Sequence, residues 1–332
     1  LGVLAGGSGE APTRPKARVV VIGGGYGGAI CAKYLRRADP GIHVTLVEKD
    51  PTYVSCPFSN LVVAGQRDLG SISFGYRDLA HNHGIRVIHD RAVGVEPDPG
   101  TVRLAGGRTL AFDRLVVSPG VDFRWDAIEG YGPEAAEALP HAWRAGPQTL
   151  LLRRQIEAME DGGVVAIAAP PNPFRCPPGP YERASLIAHY LKHHKPRSKV
   201  LILDAKDKFS KQGLFQAGWE RLYPGMIEWV SWANDGLVRG VDPRTRTLRT
   251  EFEEHRVAVA CVIPPQKAGA IAAAAGLTDD SGWCPVDQTT FESLRQPGVH
   301  VIGDSSIAGK MPKSGYAANT QAKVCAAAVA DL

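Results

Sequence analysis

Cys176 stands in the run Pro170-Pro-Asn-Pro-Phe-Arg-Cys-Pro-Pro-Gly-Pro180, where six of eleven residues are proline. Proline fixes φ and carries no N–H, so this loop holds its sulfur in one place and offers few backbone donors. Arg175 precedes the cysteine, and a helix is expected to begin near Tyr181, just past a Gly179-Pro180 turn. A cation and a helix N-terminus both favour thiolate, so the local sequence predicts a lowered Cys176 pKa. Glu182 falls in the first turn of that helix, placed to shuttle a proton. The competing reading is a buried structural cysteine and a first-turn acid held by the helix dipole.

A second group of residues has the spacing of a nucleotide cradle. Gly23-x-Gly25-x-x-Gly28 lies between an apolar strand and a helix, and Glu48 ends the next strand. Gly23 permits the tight turn, Gly25 lets a pyrophosphate approach the backbone, and Gly28 lets helix and strand pack closely. The helix N-terminus supplies N–H donors and positive dipole, and Glu48 accepts from ribose hydroxyls. Lys49, beside Glu48, and Ser118, Pro119 and Gly120, closing a later strand, are assigned to the same cofactor set. Gly303-Asp304 ends a strand shortly before the final helix. In two-domain flavoproteins an Asp so placed holds the ribityl chain of FAD; the alternative is a helix or turn cap.

These residues need two units to position them. Strands at 18–22 and 43–48 flank a helix ending near Arg37, the opening of a doubly wound sheet. Further strands are expected at 86–90 and 115–118, and a hairpin turns at Gly106-Gly107. A second βαβ pattern follows: helix 148–160, strand 164–169, helix 181–194, strand 199–204. The chain then returns to the first unit near Gly269, with a strand at 299–302 and a final helix over 315–332. The expected fold class is α/β, with two Rossmann-like dinucleotide-binding domains. An FAD domain takes 17–128 and 269–332. A second domain takes 129–268 and has lost its NAD site, since the proline loop replaces the glycine cradle there. No NAD(P)H is expected.

Bulk properties narrow the class. The 332 residues carry 38 basic and 34 acidic side chains, a net +4, too little to imply nucleic acid or an anionic membrane. No apolar run approaches the ~20 residues of a membrane span. Six cysteines include no Cys-x-x-Cys pair, so no metal site is indicated. Cys31, Cys261 and Cys325 lie in apolar segments and read as core. The chain starts at Leu1; residues 1–16 read as a flexible leader, the tail of an export signal with its linker, or an unordered terminus.

Longer segments carry a resemblance. Tyr53-Val-Ser-Cys-Pro-Phe-Ser-Asn60, Pro140-His-Ala-Trp143, Phe174-Arg-Cys-Pro-Pro-Gly-Pro-Tyr-Glu-Arg-Ala-Ser185, Gly282-Trp-Cys-Pro-Val-Asp287 and Met311-Pro-Lys-Ser-Gly-Tyr316 are the most specific. With the glycine run 23–28 they make the chain resemble the flavoprotein subunit of flavocytochrome c sulfide dehydrogenase, a relative of sulfide:quinone reductase and glutathione reductase. The resemblance implies an exported, periplasmic FAD enzyme that oxidises sulfide and hands electrons to a c-type cytochrome subunit. It implies that Cys56 forms a thioether to the flavin, and that Cys176 is one half of a redox-active disulfide. Glu182 is implied as the proton carrier, and Tyr316 as part of the cofactor site. Lys313, with the final helix N-terminus, is expected to stabilise negative charge on reduced flavin; its alternative is a solvated surface lysine.

The match departs in two places. The family's second redox cysteine and its C-terminal domain lie beyond Leu332, so a truncated chain is expected; the alternative is a variant with only one active thiol. Ser305-Ser306 stands where the family often has Ala-Cys. Three other readings are carried forward: a sulfide:quinone reductase, which would need a membrane-binding amphipathic end; a non-catalytic FAD-binding electron-transfer or assembly subunit; and an NADH-dependent disulfide reductase.

Overall fold

The computed structural model describes residues 16–331. The leader expected over 1–16 lies outside them except for Lys16, which pairs with Asp39 at 2.7 Å.

The β-branched run Ala17–Ile22 is the central strand of a five-stranded parallel sheet. The order across it is Val299–Val301, Arg114–Val117, Ala17–Ile22, Ile42–Val47, Arg86–Ile88. Val19, Val20 and Val21 are all buried, as continuous apolar strands covered on both faces should be. The helices Tyr26–Ala38 and Gly315–Asp331 pack on each other through Cys31, Ala32, Leu35, Cys325, Ala326 and Val329. Cys31 and Cys325 are therefore core residues, as is Cys261 in the second unit. The expected hairpin is present: Thr101–Leu104 pairs with Thr109–Ala111, and Gly107 takes φ +84° at the turn.

The second unit holds a four-stranded parallel sheet ordered Ile227–Val230, Lys199–Asp204, Val164–Ala169, Val259–Val262. The outer two strands and the helix Gln212–Leu222 were not expected from the sequence. Each outer strand has four residues and owes its place to pairing with a distant partner, which local pattern does not encode. The helix Gly179–His194 begins two residues before the expected start, so Gly179 and Pro180 form its first turn rather than a separate one. Proline suits that position because a first-turn N–H has no helical partner.

Two short segments join the units. Val121–Phe123 pairs antiparallel with Gln266–Ala268, so the outgoing and returning chains lie side by side. Val299–Val301 then extends the first sheet beside Arg114–Val117. This return places Gly303 and Asp304 at the same sheet edge as the glycine turn.

Candidate functional site

The carboxyl ends of the first sheet open onto a cavity of about 790 Å³, where nucleotide folds bind their ligands. Gly23, Gly25, Glu48, Lys49, Ser118, Pro119, Gly120, Gly303 and Asp304 line it, together with Cys56 and Arg175. Gly23 takes φ +96°, and a methyl group on it would lie 2.3 Å from the Ser118 carbonyl oxygen. A methyl on Gly28 would lie 1.8 Å from the Gly23 carbonyl oxygen, so this glycine seats helix on strand and does not face the cavity. At Gly25 the nearest atom is a Tyr53 ring carbon at 3.5 Å, leaving the backbone open to close approach by a ligand.

The two acids are set at the cavity wall. Glu48 accepts from the Gly24 N–H at 2.8 Å and the Asp50 N–H at 3.0 Å. Lys49 pairs with Asp50. Asp304 Oδ2 accepts from Arg175 Nε at 2.8 Å, whereas its buried Oδ1 has no partner among the described residues. A buried carboxylate oxygen without a donor wants one, and a ligand hydroxyl supplies it. An open glycine cradle, an acid at the next strand end and an unsatisfied acid across the cavity are what FAD requires. The residues present fit the cofactor.

The sulfur chemistry sits at one end of this cavity. Cys56 follows the strand Thr52–Val54 and precedes the short helix Ser59–Val63. Its Sγ lies 3.3 Å from Arg175 Nη1 and 3.8 Å from the Trp143 carbonyl oxygen. Cys176 is held in left-handed backbone, φ +57°, by its N–H donating to the Lys313 carbonyl at 2.7 Å and its carbonyl accepting from Gly179 at 2.8 Å. A non-glycine residue at that φ carries strain that surrounding bonds must hold, a common feature of functional sites. Trp143 reaches the surroundings of both cysteines: its indole N–H donates to the Arg175 carbonyl at 3.2 Å, and a methyl on Gly179 would meet both its ring and the Cys176 sulfur.

Several expectations need correction. The Cys176 thiol is not lowered but pushed up to about 11. Burial is the main cause and the Glu182 charge adds to it; Arg175 offsets them only weakly. The guanidinium is turned away from its sequence neighbour towards Cys56 and Asp304. Cys176, Glu182 and Lys313 stand behind the cavity wall, not on it. Tyr316 does not join the site: it is 84 % exposed, and the first turn of the final helix presents Gly315 to the cavity instead.

Lys313 is no surface lysine. Its ammonium donates to the Asp304 carbonyl at 2.7 Å and the Ser306 carbonyl at 3.0 Å, and lies 3.8 Å from the centre of the Trp283 ring. Burial brings it down to about 8. It braces the turn that carries Asp304. Glu182 accepts from Asn60 Nδ2 at 2.6 Å, and Asn60 Oδ1 accepts from the buried Arg183 at 2.9 Å. Asn60, Trp143 and Arg183 form the support that the sequence reading missed. All three fall inside the segments that carried the resemblance, but nothing local marked their contacts.

In the second unit the position equivalent to Glu48 is Asp204, at the end of Lys199–Asp204. It is completely buried and already accepts from Tyr181 Oη at 2.6 Å, Trp229 Nε1 at 2.9 Å and Lys206 Nζ at 2.6 Å. Tyr181 stacks on Phe209 at 3.7 Å. Protein side chains thus engage both oxygens of this carboxylate.

Comparison with known proteins bears on family and fold. Residues 149–264 match the family described as sulfide dehydrogenase (flavocytochrome c) flavoprotein chain, central, and residues 17–146 match pyridine nucleotide-disulphide oxidoreductase. The chain is 67% identical over 45 residues to the sulfide dehydrogenase (flavocytochrome c) flavoprotein chain of Chlorobaculum thiosulfatiphilum, covering 14% of this chain and 94% of that sequence. It is 22% identical over 331 residues to the mitochondrial sulfide:quinone oxidoreductase of Mus musculus, covering 92% of this chain and 68% of that one. The solved sulfide:quinone oxidoreductase of Aquifex aeolicus superposes with a TM-score of 0.78 at 21% identity, over 95% of this chain and 76% of that chain. That likeness shows the shared two-sheet α/β fold. The chain belongs to the family of flavocytochrome c sulfide dehydrogenase flavoprotein chains, and FAD is its cofactor.

Proposed function

We propose that the protein is an exported, periplasmic sulfide dehydrogenase that oxidises sulfide at Cys176 and passes the electrons through FAD to a c-type cytochrome subunit. The observation that carries this reading is the replacement of a second nucleotide cradle by the proline loop, which fixes Cys176 in strained backbone next to the wall of the FAD cavity. The buried, fully engaged Asp204 supports a second unit that takes no NAD(P)H.

Gly23 and Gly25 would cradle the pyrophosphate; Glu48 and Asp304 would take ribose and ribityl hydroxyls. FAD, when bound, supplies a two-electron acceptor beside the thiol, and Cys56 is its covalent attachment point. In the oxidised enzyme Cys176 shares a disulfide with a second thiol. HS⁻ attacks it, a sulfur–sulfur bond breaks as another forms, and a persulfide and a thiolate result. Cys176 carries the persulfide and the second thiol leaves as thiolate; Glu182, which accepts from Asn60 Nδ2 and whose charge acts on the Cys176 sulfur, is placed to take up the proton that HS⁻ brought.

The 67% identity to a cytochrome-linked chain favours cytochrome c as acceptor. The longer likeness to sulfide:quinone oxidoreductases supports quinone as the second reading. Stopped-flow absorbance decides: sulfide should bleach the flavin of the holoenzyme, Cys176→Ser should slow this at least about a hundredfold, and turnover should proceed with cytochrome c and not with a soluble quinone. Bleaching unaffected by Cys176→Ser would overturn the assignment.

A further inference from the structure

Arg175 comes from the second unit yet reaches two residues of the first. Its Nη1 lies 3.3 Å from Cys56 Sγ and its Nε 2.8 Å from Asp304 Oδ2, and all three residues line the FAD cavity. The residue is anchored from behind: its backbone N–H donates to Gln266 Oε1 at 2.9 Å and its carbonyl accepts from the Trp143 indole at 3.2 Å. The guanidinium is a rigid planar fork. One edge is fixed by the Asp304 carboxylate, and the other is presented to sulfur.

We propose that Arg175 is the positioning residue that readies Cys56 for attachment, so that the chain links its own flavin. This rests on the reading of Cys56 as the attachment point and adds the residue that makes the attachment happen. A thiolate is the nucleophile in such chemistry, and a cation beside the sulfur stabilises it. The sulfur on the cavity wall and the one behind it therefore have different neighbours: Cys56 has the guanidinium, and Cys176 has burial and a carboxylate. In the linking step the S–H bond and one C–H bond of the ring's 8α methyl are lost and a C–S bond forms. The two electrons and two protons released go to the flavin, which is the oxidant and ends reduced; dioxygen or the enzyme's own electron acceptor restores it. No further enzyme is required by this balance.

The test follows attachment, not turnover. Full chain produced without flavin is mixed with FAD, and the flavin that stays with acid-precipitated protein is measured over time, with mass spectrometry of the Cys56 peptide. Wild type should link its FAD, and Cys56→Ala should bind without linking. Arg175→Gln should bind FAD but link at least about tenfold more slowly than wild type. Arg175→Lys, which keeps the positive charge without the planar fork, should link at a rate between those of wild type and the Gln variant, and is followed alone if Arg175→Gln does not retain FAD. Wild-type-like linking in the Gln variant, or a Lys variant that links outside the range between wild type and the Gln variant, overturns the role of Arg175. Failure of wild type to link removes the Cys56 reading itself, and the proposal with it.

Discussion

Burial and a neighbouring carboxylate hold the Cys176 thiol near 11. At pH 7 a thiol of that strength is ionised in only about one molecule in ten thousand. Reduced protein should accordingly be alkylated slowly at Cys176, with a rate that keeps rising well above neutral pH. Glu182→Gln removes the opposing charge and lowers the thiol pKa. Because Glu182 is largely exposed its effect is screened, and a gain of about threefold in rate at fixed pH is expected. Peptide-resolved iodoacetamide labelling checks this; an unchanged or slower rate contradicts it. The residue types were legible in the sequence: both cysteines, Glu182 and Asp304 stand in or beside the site. The direction of Arg175 was not. Adjacency along the chain implied that its charge served Cys176, but φ +57° at Cys176 and the Asp304 carboxylate turn the guanidinium to Cys56. Tyr316 failed in the same way, since the helix register, not the motif, decides which side chain meets the cavity.

The strand–turn–helix that carries Gly23, Gly25 and Gly28 separates folding from binding within a single turn. Gly28 meets backbone, so Gly28→Ala should cost about 3 kcal/mol or more through overpacking. Gly25 has φ −74° and faces the cavity, so alanine is tolerated by the fold. Gly25→Ala should leave the melting temperature of the flavin-free protein within ~2 °C of wild type while weakening FAD binding about tenfold or more. Thermal melts with and without FAD test both variants, and a destabilised Gly25→Ala apoprotein would count against this division. This element was readable because each glycine answers a local steric demand. The strands Ile227–Val230 and Val259–Val262 were not, because their partners lie far away in sequence and only assembly of the sheet selects them.

At the scale of the molecule, the two units meet around Pro140-His-Ala-Trp143. The His141 ring is buried against Phe123, its Nδ1 accepts from the Trp143 N–H at 2.9 Å, and its carbonyl accepts from Arg183 at 3.0 Å. Burial, aided by Arg144 and Arg183, holds its pKa down to about 3. The unfolded chain takes up this proton near pH 6.5, so between about 6.5 and 3 the unfolded state binds more protons. Stability is complete above that window and drains away as pH falls through it. His141→Gln should flatten this acid limb in melts between pH 4 and 7; an identical limb would show that His141 is not its source. The return of the chain to the first sheet was legible from Val299–Val301 and Gly303-Asp304, whereas the convergence of Tyr181, Trp229 and Lys206 on Asp204 was not, since those residues meet only in three dimensions. What unites the scales is one claim, that sulfide is oxidised on Cys176. The direct test is a brief pulse of sulfide on the oxidised holoenzyme, followed by trapping and mass spectrometry of the cysteine peptides. The account predicts one added sulfur atom on the Cys176 peptide, formed no later than the flavin bleaches. Flavin reduction with the extra sulfur on another cysteine, or on none, would contradict it.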